Sequence, residues 1–392
     1  MLDKKLFTLL LVVFIDLLGF GIVIPILPLL IEKTGGGAFL VGVVISVYSL
    51  FQFLFAPILG RLSDKYGRKP ILVVSAFINS LSYFIIFFSQ NLWILLLARV
   101  IAGIGSANLS VAQAYVADTS ASHERTKRMA LLGAVFGLGF IFGPLVGGIS
   151  SGHFSTGFPF LIPAILSLIN TVLIFIILPE SNKILQKHIK IELINFKITK
   201  EVLKPKNMTF LMFLFFFVNF ALALIVGVFP LYSQAKFGWN ETQNGYYFGL
   251  IGIGSFITQA YIIRLLLKKF DESQIIRFAL IIFAFAVIGV GLSPIGILLI
   301  FIGPFISFGI SLVNVNVQSL ISLETKTSEQ GIVLGVTQSF GSMARIIGPL
   351  IGGTIATFNL NAPYITSGIV AIFIFLFGQN YLKFMKSGRK IE

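Results

Sequence analysis

Apolar positions along this chain fall in long runs, broken by short stretches of glycine, proline or charge. A helix needs about twenty such residues to cross the ~30 Å of a bilayer's hydrocarbon. The pattern predicts twelve spans, at 6–31, 39–60, 70–89, 92–118, 127–150, 157–178, 208–234, 243–267, 274–293, 295–322, 331–356 and 361–384. Two breaks are so short that SQN (89–91) and SP (293–294) must serve as hairpin turns. The expected fold class is therefore an all-α membrane protein of twelve transmembrane helices.

Composition agrees. The 392 residues are 56% hydrophobic and only 11% charged, with 42 phenylalanines. A typical soluble domain has about 25% charged residues, so this chain cannot present a polar surface of matching size. There is no cysteine, which excludes disulfides and thiolate metal sites. The charged start MLDKK looks like the head of a signal peptide, but the apolar run behind it is too long and lacks a small-residue cleavage site. It reads as a retained first helix.

The formal net charge of +14 raises the question of nucleic acid. Its distribution answers it. An even number of spans puts both termini on one side, and all but four of the 29 Lys and Arg fall on that side. Lys33 and Lys236 lie opposite, while Arg99 and Arg345 lie within spans. The positive-inside rule makes that side cytoplasmic, so the basic charge is an orientation and lipid-headgroup signal. No nucleic-acid partner is expected. The lysine-rich stretch at 178–207 is the only long polar segment, and it divides the chain into a six-helix bundle at 1–180, a basic cytoplasmic linker at 181–207 and a second six-helix bundle at 208–392.

The two halves echo each other. FGPLVGG (142–148) in the fifth span recurs as IGPLIGG (347–353) in the eleventh. The loop GRLSDKYGRKP (60–70) has a degraded counterpart in IRLLLKKFDESQ (263–274). Such parallel repeats belong to carriers whose substrate site lies near the midplane between halves.

Charge inside a membrane is costly and by default functional. Asp16, in FIDLLGFGIVIP, lies about ten residues or ~15 Å from the cytoplasmic end of its span, and is the only acid deep in any span. Arg99 begins a polar stripe with Ser106 and Gln113 at seven-residue intervals on the fourth span. Tyr48, Gln52, Asn219, Gln259, Asn314, Gln318, Gln338 and Arg345 add polar points on both halves and are the candidates for a substrate cavity. Asp16 is a candidate counter-ion for Arg99 and a candidate proton carrier. A pair that breaks on protonation serves both roles.

Gly139, Gly143 and Gly147 form a small-residue stripe on the fifth span, with Pro144 and Gly148 beside it, which lets a neighbouring helix approach closely. The loop at 60–70 offers Gly60 and Gly67 for close packing or a tight turn, and alternating charge at Arg61, Asp64, Lys65, Arg68 and Lys69. No histidine pair has metal-ligand spacing, and GxxxxGK[ST] is absent, so neither a metal, a cofactor nor ATP-driven pumping is expected.

The loop GRLSDKYGRKP closely resembles that of the major facilitator superfamily, in the form of its tetracycline-exporter branch of drug:proton antiporters. PxLP at 25–28, ARVIAGIGSA in the fourth span, VADTS after it, GPLVGG in the fifth and LPES at 178–181 fall in the family's order, and the resemblance covers most of the chain. It implies a cytoplasmic latch in which Asp64 is drawn to the start of the eleventh helix, near Gly331, with Arg61, Arg68 and Asp118 completing a charge network. It implies that the G-P-x-x-G-G packing marks an antiporter. It also supports Asp16 and Arg99 as the proton-coupling pair. Where the resemblance places further acids, this chain has Ser82 in the third span and none in the ninth, so tetracycline with its divalent cation is not the expected substrate.

The expected function is secondary active transport: proton-coupled antiport that exports lipophilic small molecules from a bacterial inner membrane by alternating access, with the chain acting as a monomer among membrane lipids. The alternative is a symporter or facilitator of the same fold for an anionic metabolite, siderophore or lipid, which Arg345 would favour. A membrane-embedded enzyme or receptor is the remote reading, since no span unites histidine, cysteine and acid.

Overall fold

The computed structural model describes residues 4–89, 91–120, 122–154, 157–182, 196–325 and 330–384. In lipid each backbone polar group must find its partner within its own segment, and the described residues are almost wholly helical. The helices are α1 (Lys4–Lys33), α2 (Ala38–Tyr66), α3 (Arg68–Phe88), α4 (Leu92–Gly105), α5 (Leu109–Thr119), α6 (Ser122–His153), α7 (Leu161–Ile177), α8 (Phe196–Val202), α9 (Lys206–Val226), α10 (Phe229–Phe237), α11 (Glu241–Ile257), α12 (Ile263–Leu266), α13 (Glu272–Leu292), α14 (Ile297–Leu323), α15 (Gln330–Phe358) and α16 (Ala362–Phe384). Ten segments among the described residues are long and apolar enough to cross a membrane. The two G-P-x-x-G-G helices, α6 with 32 residues and α15 with 29, also exceed the length of a span, so each of the twelve predicted runs has its helix.

Four predicted spans are not single α-helices, the sixth opening with a 3-10 turn at Phe158–Phe160 before α7. The fourth breaks into α4 and α5 across a 3-10 turn at Ser106–Asn108. The seventh ends at Val226 and restarts as α10, with Pro230 near the new N-terminus, where its missing N–H costs nothing. The eighth runs from α11 into α12 through a π-helical turn at Thr258–Ile262. The second span, in contrast, is longer than its apolar pattern. α2 continues through GRLSDKY to Tyr66, so most of the charged loop is helix and only Gly67 separates it from α3. Gly67 has φ 103°, a conformation that a side chain disfavours.

Both tight turns are built as hairpins. Asn91 accepts from Trp93 N at 2.8 Å to cap α4, and Ser89 Oγ donates to the Asn91 carbonyl. Ser293 Oγ likewise donates to the Ile295 carbonyl at 3.0 Å.

By their contacts the residues group into two units. The first comprises Met1–Gly36, Val47–Ile194 and Trp239–Gly249, the second Gly37–Ser46, Asn195–Gly238 and Leu250–Glu392. In the first unit α1 packs on α6 and α7, and α3 on α4 and α7. In the second, α9 packs on α15 and α16, and α13 on α14 and α16. The packing order of one unit thus repeats in the other, as the sequence echo does. A core of Leu9, Val12, Val13, Leu72, Val111 and Ile174 fills the first unit beneath the polar cluster described next.

Candidate functional site

Asp16 sits in the middle of α1 and is 8% exposed. Asn79 Nδ2, from α3, donates to its Oδ1 at 2.9 Å, and Asn108 Nδ2, from the 3-10 turn, donates to its Oδ2 at 2.7 Å. Ser106 Oγ donates to Asn79 Oδ1 at 3.2 Å, which fixes the sense of that amide. Gln52 of α2 donates to the Ser106 carbonyl at 3.1 Å. Hydrogen bonds to an ionised acceptor are the stronger kind, so two amides stabilise a buried carboxylate that lipid alone would not tolerate.

Arg99 does not pair with Asp16. Its guanidinium lies 4.3 Å from the centre of the Tyr48 ring, it is 1% exposed, and Nε and Nη1 have no hydrogen-bond partner among the described residues. Phe20 packs tilted against the same Tyr48, ring centres 5.4 Å apart. Tyr83 fills the space against Gly19, where a Cβ would collide with its hydroxyl. Where the sequence suggested a carboxylate opposite Arg99, the structure places an aromatic face.

The same break ends the expected stripe. Arg99 and Ser106 are buried, but Gln113 lies beyond the 3-10 turn and is exposed. Asn79 and Asn108 were not among the candidates. Their signal was an amide inside an apolar span, at Asn79 one turn before Ser82, whose Oγ donates to the Asn79 carbonyl at 2.7 Å.

In the second unit Asn219 donates to Asn314 Oδ1 at 2.9 Å. Gln259, on the π-helical turn, donates to Ser255, which bonds Ser311 at 2.7 Å. Arg345 donates to Ser342 at 3.0 Å. Gln318 is half-buried and Gln338 exposed.

At the α2–α3 junction Arg68 is the centre. It reaches Asp64 at 2.5 Å, Asp118 at 3.1 Å and Ser63 Oγ at 2.6 Å, and Ser63 itself donates to the Gly60 carbonyl at 2.5 Å. Arg61 is half-buried nearby in sequence. Glu180 of the LPES stretch, not singled out from sequence, accepts from the backbone N–H of Arg68 at 2.8 Å and of Lys69 at 3.1 Å. Those are orphan donors at the start of α3, and a carboxylate suits them. A Cβ at Gly67 would strike Glu180, so that glycine serves the approach as well as the turn. The expected pull of Asp64 toward the start of the eleventh span concerns a junction, 326–329 with Gly331, outside the described side chains, as do His123 and His188.

The glycine stripe faces α1. A Cβ at Gly139 would lie 2.5 Å from Leu17 Cβ, at Gly143 2.6 Å from Gly21 Cα, and at Gly147 2.9 Å from the Ile22 carbonyl. Gly148 points elsewhere, with its Cβ position 2.7 Å from Gly245 Cα in α11, and Pro144 offers its carbonyl to that same Gly245. The repeat behaves alike: Gly348 and Gly352 meet Ala223 and Leu224 of α9, while Gly353 meets Ala38 and Gly42 of α2.

Two pseudo-equivalent helical units, each organised around a G-P-x-x-G-G helix, define a polytopic secondary carrier. The model of the Major Facilitator Superfamily matches residues 9–349, and the chain belongs to that family. It is 30% identical over 362 residues to the class B tetracycline resistance protein of Escherichia coli, covering 90% of this chain and 88% of that one. It is 28% identical over 377 residues to multidrug resistance protein 2 of Bacillus subtilis (strain 168), covering 94% and 93%. In fold it is similar to a bacterial homologue of the human lysosomal transporter Spinster in an inward-facing, unoccupied conformation, with TM-score 0.79 and 14% identity over 98% of each chain. The protein is a multi-pass membrane transporter of small molecules, not an enzyme.

Proposed function

We propose that this transporter is a drug:proton antiporter that exports lipophilic neutral or cationic compounds across a bacterial inner membrane, with protons exchanging at Asp16. The observation that carries the reading is the single deep acid, buried and held by two neutral amides, while Arg99 lies on Tyr48 with no anionic partner among the described residues. The resistance proteins to which the chain is similar support export, and the multidrug relative supports a broad lipophilic substrate. The absence of an acid at Ser82 and in the ninth span argues against a tetracycline–cation complex. Alternating access would engage the halves 1–180 and 208–392 through the linker 181–207, with both termini cytoplasmic and one chain sufficient. Arg61, Asp64, Gly67, Arg68 and Asp118 would gate the cytoplasmic side.

Proteoliposomes with an imposed pH gradient test this, with the fluorescent lipophilic cation ethidium as probe. Gradient-driven ethidium transport is expected in the native protein and at least tenfold less in Asp16→Asn. Unchanged transport in that variant would overturn the coupling assignment. Arg345 is the one feature favouring an anionic substrate, and gradient-driven uptake of an amphipathic anion without any ethidium transport would select that reading.

A further inference from the structure

The break in the fourth span lies at the Asp16 cluster. α4 stops at Gly105, Ser106–Asn108 form a 3-10 turn, and α5 starts at Leu109. A short 3-10 stretch inside a long helix has poorer hydrogen-bond geometry and is a recurrent hinge. On its α4 side the turn is pinned, because a Cβ at Gly105 would collide with the Asn79 side chain and Ser106 bonds the same Asn79. On its α5 side the polar link to the cluster is Asn108, through its bond to Asp16.

Two N–H donors suit a carboxylate and misfit a carboxylic acid. Ionised Asp16 is acceptor-only, so both oxygens take an amide; once protonated, one oxygen carries a hydrogen that points at a donor. One amide must then rotate or withdraw. Asn79 is held in its present sense by Ser106 Oγ on its carbonyl oxygen. The Asn108 side-chain oxygen Oδ1 has no such bond among the described residues.

We propose that Asn108 is a positioning residue that reads the charge of Asp16 and passes it to α5, with Asn79 as the fixed anchor. The inference rests on the assignment of Asp16 as the proton site. α5 has 11 residues, about 16 Å of rise. Its last turn carries Asp118, which accepts from Arg68 Nε and Ser181 Oγ, each at 3.1 Å. A shift of the α5 start therefore reaches the charge cluster at the α2–α3 junction. Among the described residues, the other titratable or charged groups around Asp16 are Tyr83 of α3, Arg99 of α4 and Tyr48 of α2, and α7, packed on α1, carries none.

The chain has no cysteine, so two introduced cysteines can be spin-labelled without background. Val74 on α3 and Thr119 at the end of α5 are both exposed. The distance between labels at Val74→Cys and Thr119→Cys is measured by pulsed dipolar spectroscopy in lipid nanodiscs across pH 5 to 9. The native background should show one pH-dependent transition in the distance distribution. Asn108→Leu, similar in shape but without a donor, should reduce its amplitude at least fivefold, and Asn108→Gln should restore at least half. Asn108→Ala replaces Asn108→Leu where the latter does not fold. A full native amplitude in the donor-free variants, or no transition in the native background, overturns the proposal. A transition that persists in Asp16→Asn removes instead the proton-site assignment beneath it.

Discussion

Asn108 Nδ2 lies 2.7 Å from Asp16 Oδ2, and the two residues are 92 positions apart in the chain. That single contact joins the first span to the fourth at the depth where a charge is hardest to keep. Its partner bond from Asn79 spans 63 positions and completes the grip.

Asn79→Leu removes one donor from Asp16 and the acceptor of Ser106. A buried hydrogen bond to a charged group is worth about 1.5–3 kcal/mol, so unfolding in detergent should become easier by that amount. Asn79→Gln should not restore it, because the longer amide does not fit against Gly105. A denaturant titration comparing the two checks both statements.

Two glycines of α6 should respond oppositely to a methyl group. At Gly143 it would meet the backbone of α1 at 2.6 Å, whereas at Gly137 nothing lies within 4 Å. Gly143→Ala should force α1 and α6 apart, with a loss of several kcal/mol and of transport. Gly137→Ala should be neutral or stabilising by up to about 1 kcal/mol. Thermal unfolding of the two variants in the same detergent gives the comparison.

Glu180→Ala uncaps α3. Loss of a helix N-cap costs about 0.5–2 kcal/mol, and here two backbone donors lose their acceptor at once. The amides of Arg68 and Lys69 should exchange with deuterium about tenfold faster, while amides in the middle of α3 remain as protected as before.

Arg68→Lys should behave as a loss, since an ammonium cannot hold Asp64, Asp118 and Ser63 in one fork. A double-mutant cycle of Arg68→Lys with Asp118→Asn should give a coupling of about 0.5–1 kcal/mol at low salt. Both groups are partly exposed, so the coupling should shrink toward zero at 1 M salt.

Much of this molecule is written along the chain. FGPLVGG and IGPLIGG mark the two helices about which each unit is built, and their glycines are legible as close-approach positions before any coordinates. Asp16 stands out because one carboxylate in a long apolar run has no ordinary explanation. Glu180, by contrast, looks like any acid at the end of a span, and Asn79 is one mild amide in SAFINSLSYFIIFF. Neither has a local reason to be chosen, because each acts on a residue far away in sequence.

The sequence by itself determined the spans, their order and the repeat. Length and hydrophobicity suffice for that, since lipid demands them of every crossing segment. The tertiary structure alone decided which side chains meet. In a membrane the positions facing lipid and those facing neighbouring helices are both apolar, so the pattern does not say which way a span is turned. The 3-10 break at Ser106–Asn108 resets the turn within the fourth span, with Asn108 on Asp16 and Gln113 beyond it exposed, while Arg99 ahead of it lies on Tyr48. One of the two partners of the deep acid, Asn108, sits on that break.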